Sequence, residues 1–254
     1  MNIIVCAKQV VDVAEIKVDS STKKPILIGV PKKISDMDKN ACEEAIKIKE
    51  KHGGKITVVT VGAPDAKERI KELLAMGADE AVLVSPPEKA DYYVIAHLLA
   101  GAIKKLGAYD IIICGEASID MFSAQMGPRI AGLLNIPQIT YAQQVTVEQN
   151  KVVSEKNLGE KAVTMESSFP VLLTMTKESN QPRLPSLMAI LASSSKPIHE
   201  WSATDVSTGA LHPKVHTMDI KGIPMQRKNI IYQEDLDSSI GKLVDELAKV
   251  GVLR

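Results

Sequence analysis

Four short apolar runs, at residues 2–8, 55–61, 80–85 and 111–114, are separated by stretches with helical spacing. No other feature of the chain restricts its fold as strongly. Runs this short and apolar on both faces belong inside a parallel sheet, and the helices between them supply the crossovers that parallel strands need. Residues 35–51 bring Ala41, Ala45, Ile46 and Ile48 to one side and end at Gly53-Gly54. Ile70, Leu73 and Leu74 share a face in a helix that opens after Gly62-Ala-Pro-Asp65 and closes at Gly77, and a third helix covers 91–106. After the first strand, residues 15–19 and 25–28 flank a turn at 20–24, the pattern of a surface hairpin. The expected architecture is α/β, built from βαβ units around a parallel sheet.

The rhythm changes after Pro137. Residues 138–147, 151–155, 162–167 and 171–176 read as strands joined by short turns, an antiparallel extension of the sheet. A polar loop at 177–185 holds two prolines and leads to a short apolar helix at 186–192. From 198 to 233 little periodicity survives, with Pro213 and Pro224 among polar residues. Ile240, Leu243, Val244 and Leu247 then form an i, i+3, i+4, i+7 stripe that stops near Gly251. A structureless connection of about 35 residues is unusual inside one compact domain. The tail therefore either wraps its own domain or forms an arm that packs on a partner, and the arm is preferred. The chain divides into a domain at 1–192 and an arm at 193–254.

Composition removes several classes of function. The 31 basic and 31 acidic residues cancel without forming a basic stripe, which argues against nucleic acid or an anionic membrane as partner. Aromatic residues make up 3%, too few for a base-stacking platform. No apolar run approaches a membrane span. The first strand starts beside Met1, leaving no room for a signal or transit peptide, and three widely spaced cysteines in apolar contexts suit buried thiols. A cytoplasmic location follows most simply. No G-x-G-x-x-G follows the first strand, and neither a P-loop nor G-x-S-x-G occurs. His212 and His216 lie four apart, but Pro213 between them argues against a helix carrying both as metal ligands. No acid–base pair stands out, so the chain does not read as a self-sufficient enzyme.

What remains is a cleft of the nucleotide-binding kind. Asp110-Ile-Ile-Ile-Cys-Gly115 reads as a buried strand, followed by a polar loop at 116–123 and a helix carrying Ile130, Leu133 and Leu134 on one face. Asp120 and Ser123 are capable N-caps. Strand, loop and helix N-terminus together present backbone N–H groups to an anion, although an ordinary strand-to-helix turn has the same outline. In an open parallel sheet, ligands sit beyond the carboxyl ends of the strands near a switch point. The ends available are Cys6-Ala7-Lys8 after the first strand, Val61-Gly62 after the second and Gly115-Glu116 after the fourth. The loop at 34–38 lies at the same edge, and Gln125 opens its helix within reach of a phosphate.

Several ordered motifs carry a resemblance. Val5-Cys-Ala-Lys-Gln-Val-Val-Asp12, Leu74-Ala-Met-Gly-Ala-Asp79, Gly115-Glu-Ala-Ser-Ile-Asp-Met-Phe-Ser-Ala-Gln-Met-Gly-Pro128, Asn135-Ile-Pro-Gln138 and Asn180-Gln-Pro-Arg-Leu-Pro-Ser-Leu187 resemble the β subunits of electron transfer flavoproteins. The likeness runs in order from the first strand to about Trp201 and includes the terminal helix. It implies a Rossmann-like, adenine-nucleotide-binding α/β domain with an antiparallel extension and a C-terminal arm embracing a larger α subunit. It further implies an FAD at the α/β interface and an adenine nucleotide buried in the β subunit. Carried onto this chain, that second site comprises Cys6, Ala7, Lys8, Ser35, Asp36, Met37, Asp38, Val61 and Gly62, with Gly115, Glu116, Ala117, Ser118, Ile119, Asp120, Met121, Phe122, Ser123, Ala124, Gln125 and Met126. The loop at 183–192, with Arg183 and an exposed Leu187, corresponds to the recognition loop that anchors an acyl-CoA or other flavin dehydrogenase; its alternative is a core leucine in a short helix.

Two departures bear on subtype. Ala124-Gln-Met-Gly-Pro128 stands where respiratory members carry Asn-Gln-Thr-Gly, and it resembles members whose β subunit holds a second FAD and splits electron pairs from NADH. Val13 stands where respiratory members can place an aromatic near the flavin. A second FAD is therefore expected in the β site, with AMP as the alternative. In either case the chain acts as an electron-carrier subunit, with any NADH-oxidising activity belonging to the αβ complex. The rival from another class is a stand-alone adenine-nucleotide-binding regulatory protein.

Overall fold

The computed structural model describes residues 1–223 and 229–253; Pro224 lies outside the described residues. The chain begins with β1 (Asn2–Cys6) and β2 (Gln9–Val11), then β3 (Lys17–Val18) and β4 (Pro25–Ile26), which pair as the expected hairpin. Next come β5 (Lys32–Ile34), α1 (Asp36–His52), β6 (Lys55–Val61), α2 (Ala66–Met76), β7 (Glu80–Ser85), α3 (Tyr92–Leu106), β8 (Ile111–Gly115) and α4 (Met126–Leu134). The second half contains β9 (Gln138–Glu148), β10 (Lys151–Asn157), β11 (Ala162–Ser168), β12 (Val171–Met175), α5 (Leu187–Ser193), β13 (Ile198–Ser202), α6 (Ala203–Val206) and α7 (Leu236–Lys249).

Nine strands form one sheet in the order β11-β10-β9-β12-β8-β1-β6-β7-β13. Every pairing from β9 across to β13 is parallel. Strand residues alternate between two buried faces, as a period of two requires. Ile3, Val5, Ile56 and Val58 pack with Ala41, Ala45 and Ile46 of α1 and Ile70 and Leu73 of α2. Ile4, Cys6, Val59 and Ile112 pack on the other face with Val94, Leu98 and Ile103 of α3 and Ile130 of α4. All three cysteines are buried free thiols.

The second half departs from the expected extension. β12 lies between β9 and β8, parallel to both, and the antiparallel pairings of this sheet are those of β10 with β9 and with β11. Val171–Met175 is buried along its whole length, the signature of a strand covered on both faces; short turns on either side of it mimic a meander in the sequence. The segment after residue 198 is also more regular than its composition suggests. Ile198–Ser202 closes the sheet beside β7, with Ile198 and Trp201 packing on opposite faces. An edge strand with polar residues between two such anchors carries little apolar signal. Gln9–Val11 pairs with Lys32–Ile34, a ladder too short to read in the sequence. The tail divides into two parts. Residues 207–223 stay on the domain, whereas α7 has no buried residue and leaves Ile240, Leu243 and Val244 about half exposed.

Chain order places β6 and β7 on one side of β1 and β8 on the other, so the sheet reverses direction of growth between β1 and β8. Asp38, in the first turn of α1, ties the two strand ends together. Its Oδ2 accepts the Lys8 N–H at 2.8 Å and its Oδ1 accepts the Gly115 N–H at 3.0 Å. A Cβ on Gly115 would lie 2.7 Å from Asp38 Oδ1 and 2.8 Å from Met37 Cβ, so glycine is needed for α1 to come this close. Gly115→Ala is expected to destabilise the protein by about 1–3 kcal/mol, read by urea denaturation. Burial pushes the Asp38 carboxyl up to about 7, against the two N–H donors and the Lys8 ammonium, which pull it down. The folded chain then holds this proton where an unfolded aspartate has lost it, so the group's contribution to stability falls as pH rises from about 4 to about 7. The stability advantage of wild type over Asp38→Asn should shrink as pH rises from about 4 to about 7; an advantage that stays flat above about pH 5 would show the carboxylate held ionised instead.

Candidate functional site

The carboxyl ends of β1 and β8 open into a cavity of about 920 Å³. Cys6, Ala7, Cys114 and Gly115 form its floor, with Asp38 beside them. Cys6 and Cys114 are register partners on adjacent strands. Burial pushes the Cys6 thiol up to about 12 and raises Cys114 as well, and Asp38 adds to both once its carboxyl ionises, so both stay protonated. The floor is thus an apolar, uncharged surface.

One wall is the loop between β8 and α4. Phe122 and Ala124 take positive φ angles of 47° and 52°, a conformation L-residues adopt at a cost. Lys8 reaches this loop, with its Nζ 2.7 Å from Asp120 Oδ2. Burial raises the Asp120 carboxyl, but bonds from Lys8 and Ser118 outweigh it and hold the group below the usual range. Asp120 therefore braces the loop, and neither it nor Ser123 caps α4 as expected. The helix starts later, after Gln125, whose side chain makes no cap bond and instead accepts from Arg129 Nη2 at 2.8 Å. A Cβ on Gly127 would collide with Thr174 of β12, so the glycine lets the start of α4 sit directly against the sheet. The first-turn N–H groups of Met126 and Gly127 have no carbonyl within the helix to donate to. Beside the cavity, they suit an anion such as a phosphate.

The opposite wall is the start of α3, residues 88–93, and the outer rim is residues 213–217 of the tail. Asp91 caps α3 by accepting the Val94 N–H at 3.0 Å. Desolvation raises its carboxyl, but the N–H groups of Val94, Lys214, Val215 and Tyr93 together hold it low.

Of the residues expected at the site, Cys6, Ala7, Lys8, Asp38, Val61, Gly115, Glu116, Ala117, Ser118, Asp120, Met121, Ser123, Ala124, Gln125 and Met126 line this one cavity. Ser35, Asp36, Met37, Gly62, Ile119 and Phe122 do not. Ser35 is buried at the N-cap of α1 and its hydroxyl has no partner among the described residues, Asp36 turns to Lys33 at 3.3 Å, and the Gly62 N–H bonds to Val84 O at 3.0 Å. Met37 packs behind Gly115, and Phe122 faces out. Glu88 to Tyr93, Ile95, Leu99, Arg129 and 213–217 line the cavity without having been expected. Asp91, an N-cap just beyond the third strand, was a legible signal for that wall; the rim has none, because it depends on the path of the tail. Away from the cavity, Arg183 is clamped to α1, with Nε 2.9 Å from Glu43 Oε2 and its N–H 3.0 Å from the same oxygen. Leu187, on the loop this clamp holds, is 72% exposed, which removes its reading as a core residue.

Comparisons with known proteins agree with this fold. Residues 27–206 match the family model described as electron transfer flavoprotein domain. The chain is 40% identical to electron transfer flavoprotein subunit beta of Thermoanaerobacterium thermosaccharolyticum, over 97% of this chain and 98% of that protein. It is 38% identical to caffeyl-CoA reductase-Etf complex subunit CarD of Acetobacterium woodii, over 81% of this chain and 80% of that protein. Protein FixA of Sinorhizobium fredii is 35% identical, over 81% of this chain and 75% of that protein. The order of these motifs, the sheet they build and relatives matched over most of their length have one explanation: the chain belongs to the electron transfer flavoprotein family, among its β subunits.

Proposed function

We propose that this chain is the β subunit of a cytoplasmic αβ heterodimer that carries electrons between flavin dehydrogenases and an acceptor, with one FAD at the α/β interface and a second FAD in the cavity between β1 and β8. The observation that carries this reading is the cavity itself. It lies at the switch point of the sheet, combines an apolar floor with a helix N-terminus, and at about 920 Å³ is roomy for a mononucleotide. A bound flavin would supply the electron-transfer chemistry. The chain's own residues would position it: Met126 and Gly127 N–H groups towards phosphate, the Cys6–Gly115 floor excluding water, and the Lys8–Asp120 pair keeping the loop rigid. A bifurcating role with NADH as donor rests on the Ala124-Gln-Met-Gly-Pro128 motif; one relative is named as a subunit of a caffeyl-CoA reductase-Etf complex. AMP in the same cavity, as in a one-way carrier, would use the same phosphate-binding backbone.

The arm, residues 193–254, is read as the grip on the α subunit. β13 roots it in the sheet, and the half-exposed stripe on α7 offers an apolar face for a partner to cover. Among the described residues no helix is long and apolar enough to cross a membrane. Co-purification with the α subunit, release of cofactors by denaturation and counting of FAD and AMP tests the proposal. Two FAD and no AMP per dimer are expected; one FAD with one AMP would replace the bifurcating role with simple one-way transfer, and no flavin would end the electron-carrier reading.

The loop around Leu187 is read as the docking site for a dehydrogenase. An exposed leucine on a clamped loop is a plausible anchor because little else there needs desolvating. Leu187→Ala should leave folding and flavin content unchanged and weaken reduction by the partner dehydrogenase roughly tenfold or more in kcat/KM. Unchanged kcat/KM would move the docking site elsewhere.

A further inference from the structure

The tail does not leave the domain at its root. The Val206 carbonyl presses against Gly101 of α3, in space that any Cβ there would fill. Farther on, Asp91 Oδ2 accepts the N–H groups of Lys214 at 2.7 Å and Val215 at 3.0 Å, while Oδ1 caps α3. The Lys214 ammonium stands 5.3 Å above the Tyr93 ring. Then the Gly222 N–H bonds to the Lys23 carbonyl at 2.7 Å, against Val18 of the β3–β4 hairpin. The chain thus runs from α3 on one side of the sheet's switch point to the hairpin that follows β1, and its middle, residues 213–217, rims the cavity.

Little apolar burial holds this crossing in place. Val215, Met218 and Ile223 are 70%, 94% and 87% exposed. Leu211 packs on the core at its root, but beyond it the attachment rests on a few hydrogen bonds, and a segment held that way opens far more readily than the core.

We infer that residues 207–223 form a strap across the cavity, latched by Asp91, and that opening of this latch gates the exchange of the bound adenine nucleotide. The inference rests on the nucleotide reading of the cavity. A ligand enclosed by floor and strap stabilises the closed strap, and by reciprocity the closed strap tightens its binding; because the ligand leaves only when the strap opens, a looser latch speeds release. Asp91→Asn separates the two jobs of the residue. Asparagine still caps α3 through its amide oxygen, whereas its NH2 group faces the Lys214 and Val215 donors and cannot accept from them. Gly222→Ala loosens the far end by forcing a Cβ against Val18.

The test uses the αβ complex, stripped of nucleotide and reloaded with radiolabelled AMP, the fragment common to AMP and FAD. Two quantities are followed: dissociation of AMP into excess unlabelled AMP, and tryptic cleavage after Lys214, identified by mass spectrometry. Both variants are expected to release AMP roughly tenfold faster and to be cut after Lys214 roughly tenfold faster, with AMP slowing that cut in wild type. AMP release within twofold of wild type in both variants overturns the gate, whatever happens to cleavage. Failure of wild type to bind AMP overturns the nucleotide reading itself, and the cleavage ratio measured without AMP then decides separately whether Asp91 latches the strap.

Discussion

A single buried carboxylate sets the geometry on which this molecule depends. Asp38 accepts one N–H from the end of β1 and one from the end of β8, the two strands between which the sheet changes its direction of growth. Without such an acceptor, two strand-end N–H groups would be left in a buried place with no partner, a cost of about 1–3 kcal/mol each. With it, the first turn of α1 is drawn against Gly115, and the two strand ends stay apart at a fixed spacing. The cavity is the space that this spacing leaves above the floor. Lys8 and Asp120 extend the same logic outwards, fixing the loop that carries the chain from β8 to α4.

That arrangement gives the chain an ordered site at the strand ends. The floor thiols are held protonated by burial, the loop carboxylate Asp120 is paired with Lys8, and the N-terminus of α4 faces the cavity from one wall. A subunit that carries electrons needs this kind of interior, because the reacting atoms belong to its cofactor. The proposed docking loop lies away from this cavity. Arg183 and Glu43 fasten the loop of Leu187 to α1, so its position is set by the same helix that carries Asp38.

The parallel half of the fold was legible because each strand there is buried on both faces and so reads as an unbroken apolar run: Ile111–Gly115 is the plainest example. The same rule, applied to Val171–Met175, identifies a central strand, but the short connections around it suggested an antiparallel meander. Ile198–Ser202 was harder, since an edge strand exposes most of its residues and needs apolar groups only at Ile198 and Trp201. At the site, spacing located the β1 and β8 ends and the loop that follows. The resemblance added Ser35, Asp36 and Met37 with Asp38, and of these only Asp38 lines the cavity; side chains one to three positions away on a helix start face elsewhere. The rim at 213–217 is invisible locally, because its position comes from hydrogen bonds to Asp91, more than 120 residues earlier in the chain.

The central claim is that one cavity, at the switch point between β1 and β8, holds the adenine nucleotide. Hydrogen exchange of the αβ complex with and without AMP, read amide by amide, tests it most directly. The account predicts slowed exchange at Lys8, at Gly115, across 118–127 and in 213–217, with the β9–β11 extension unchanged. Protection confined to other segments, with those amides unaffected, would contradict it.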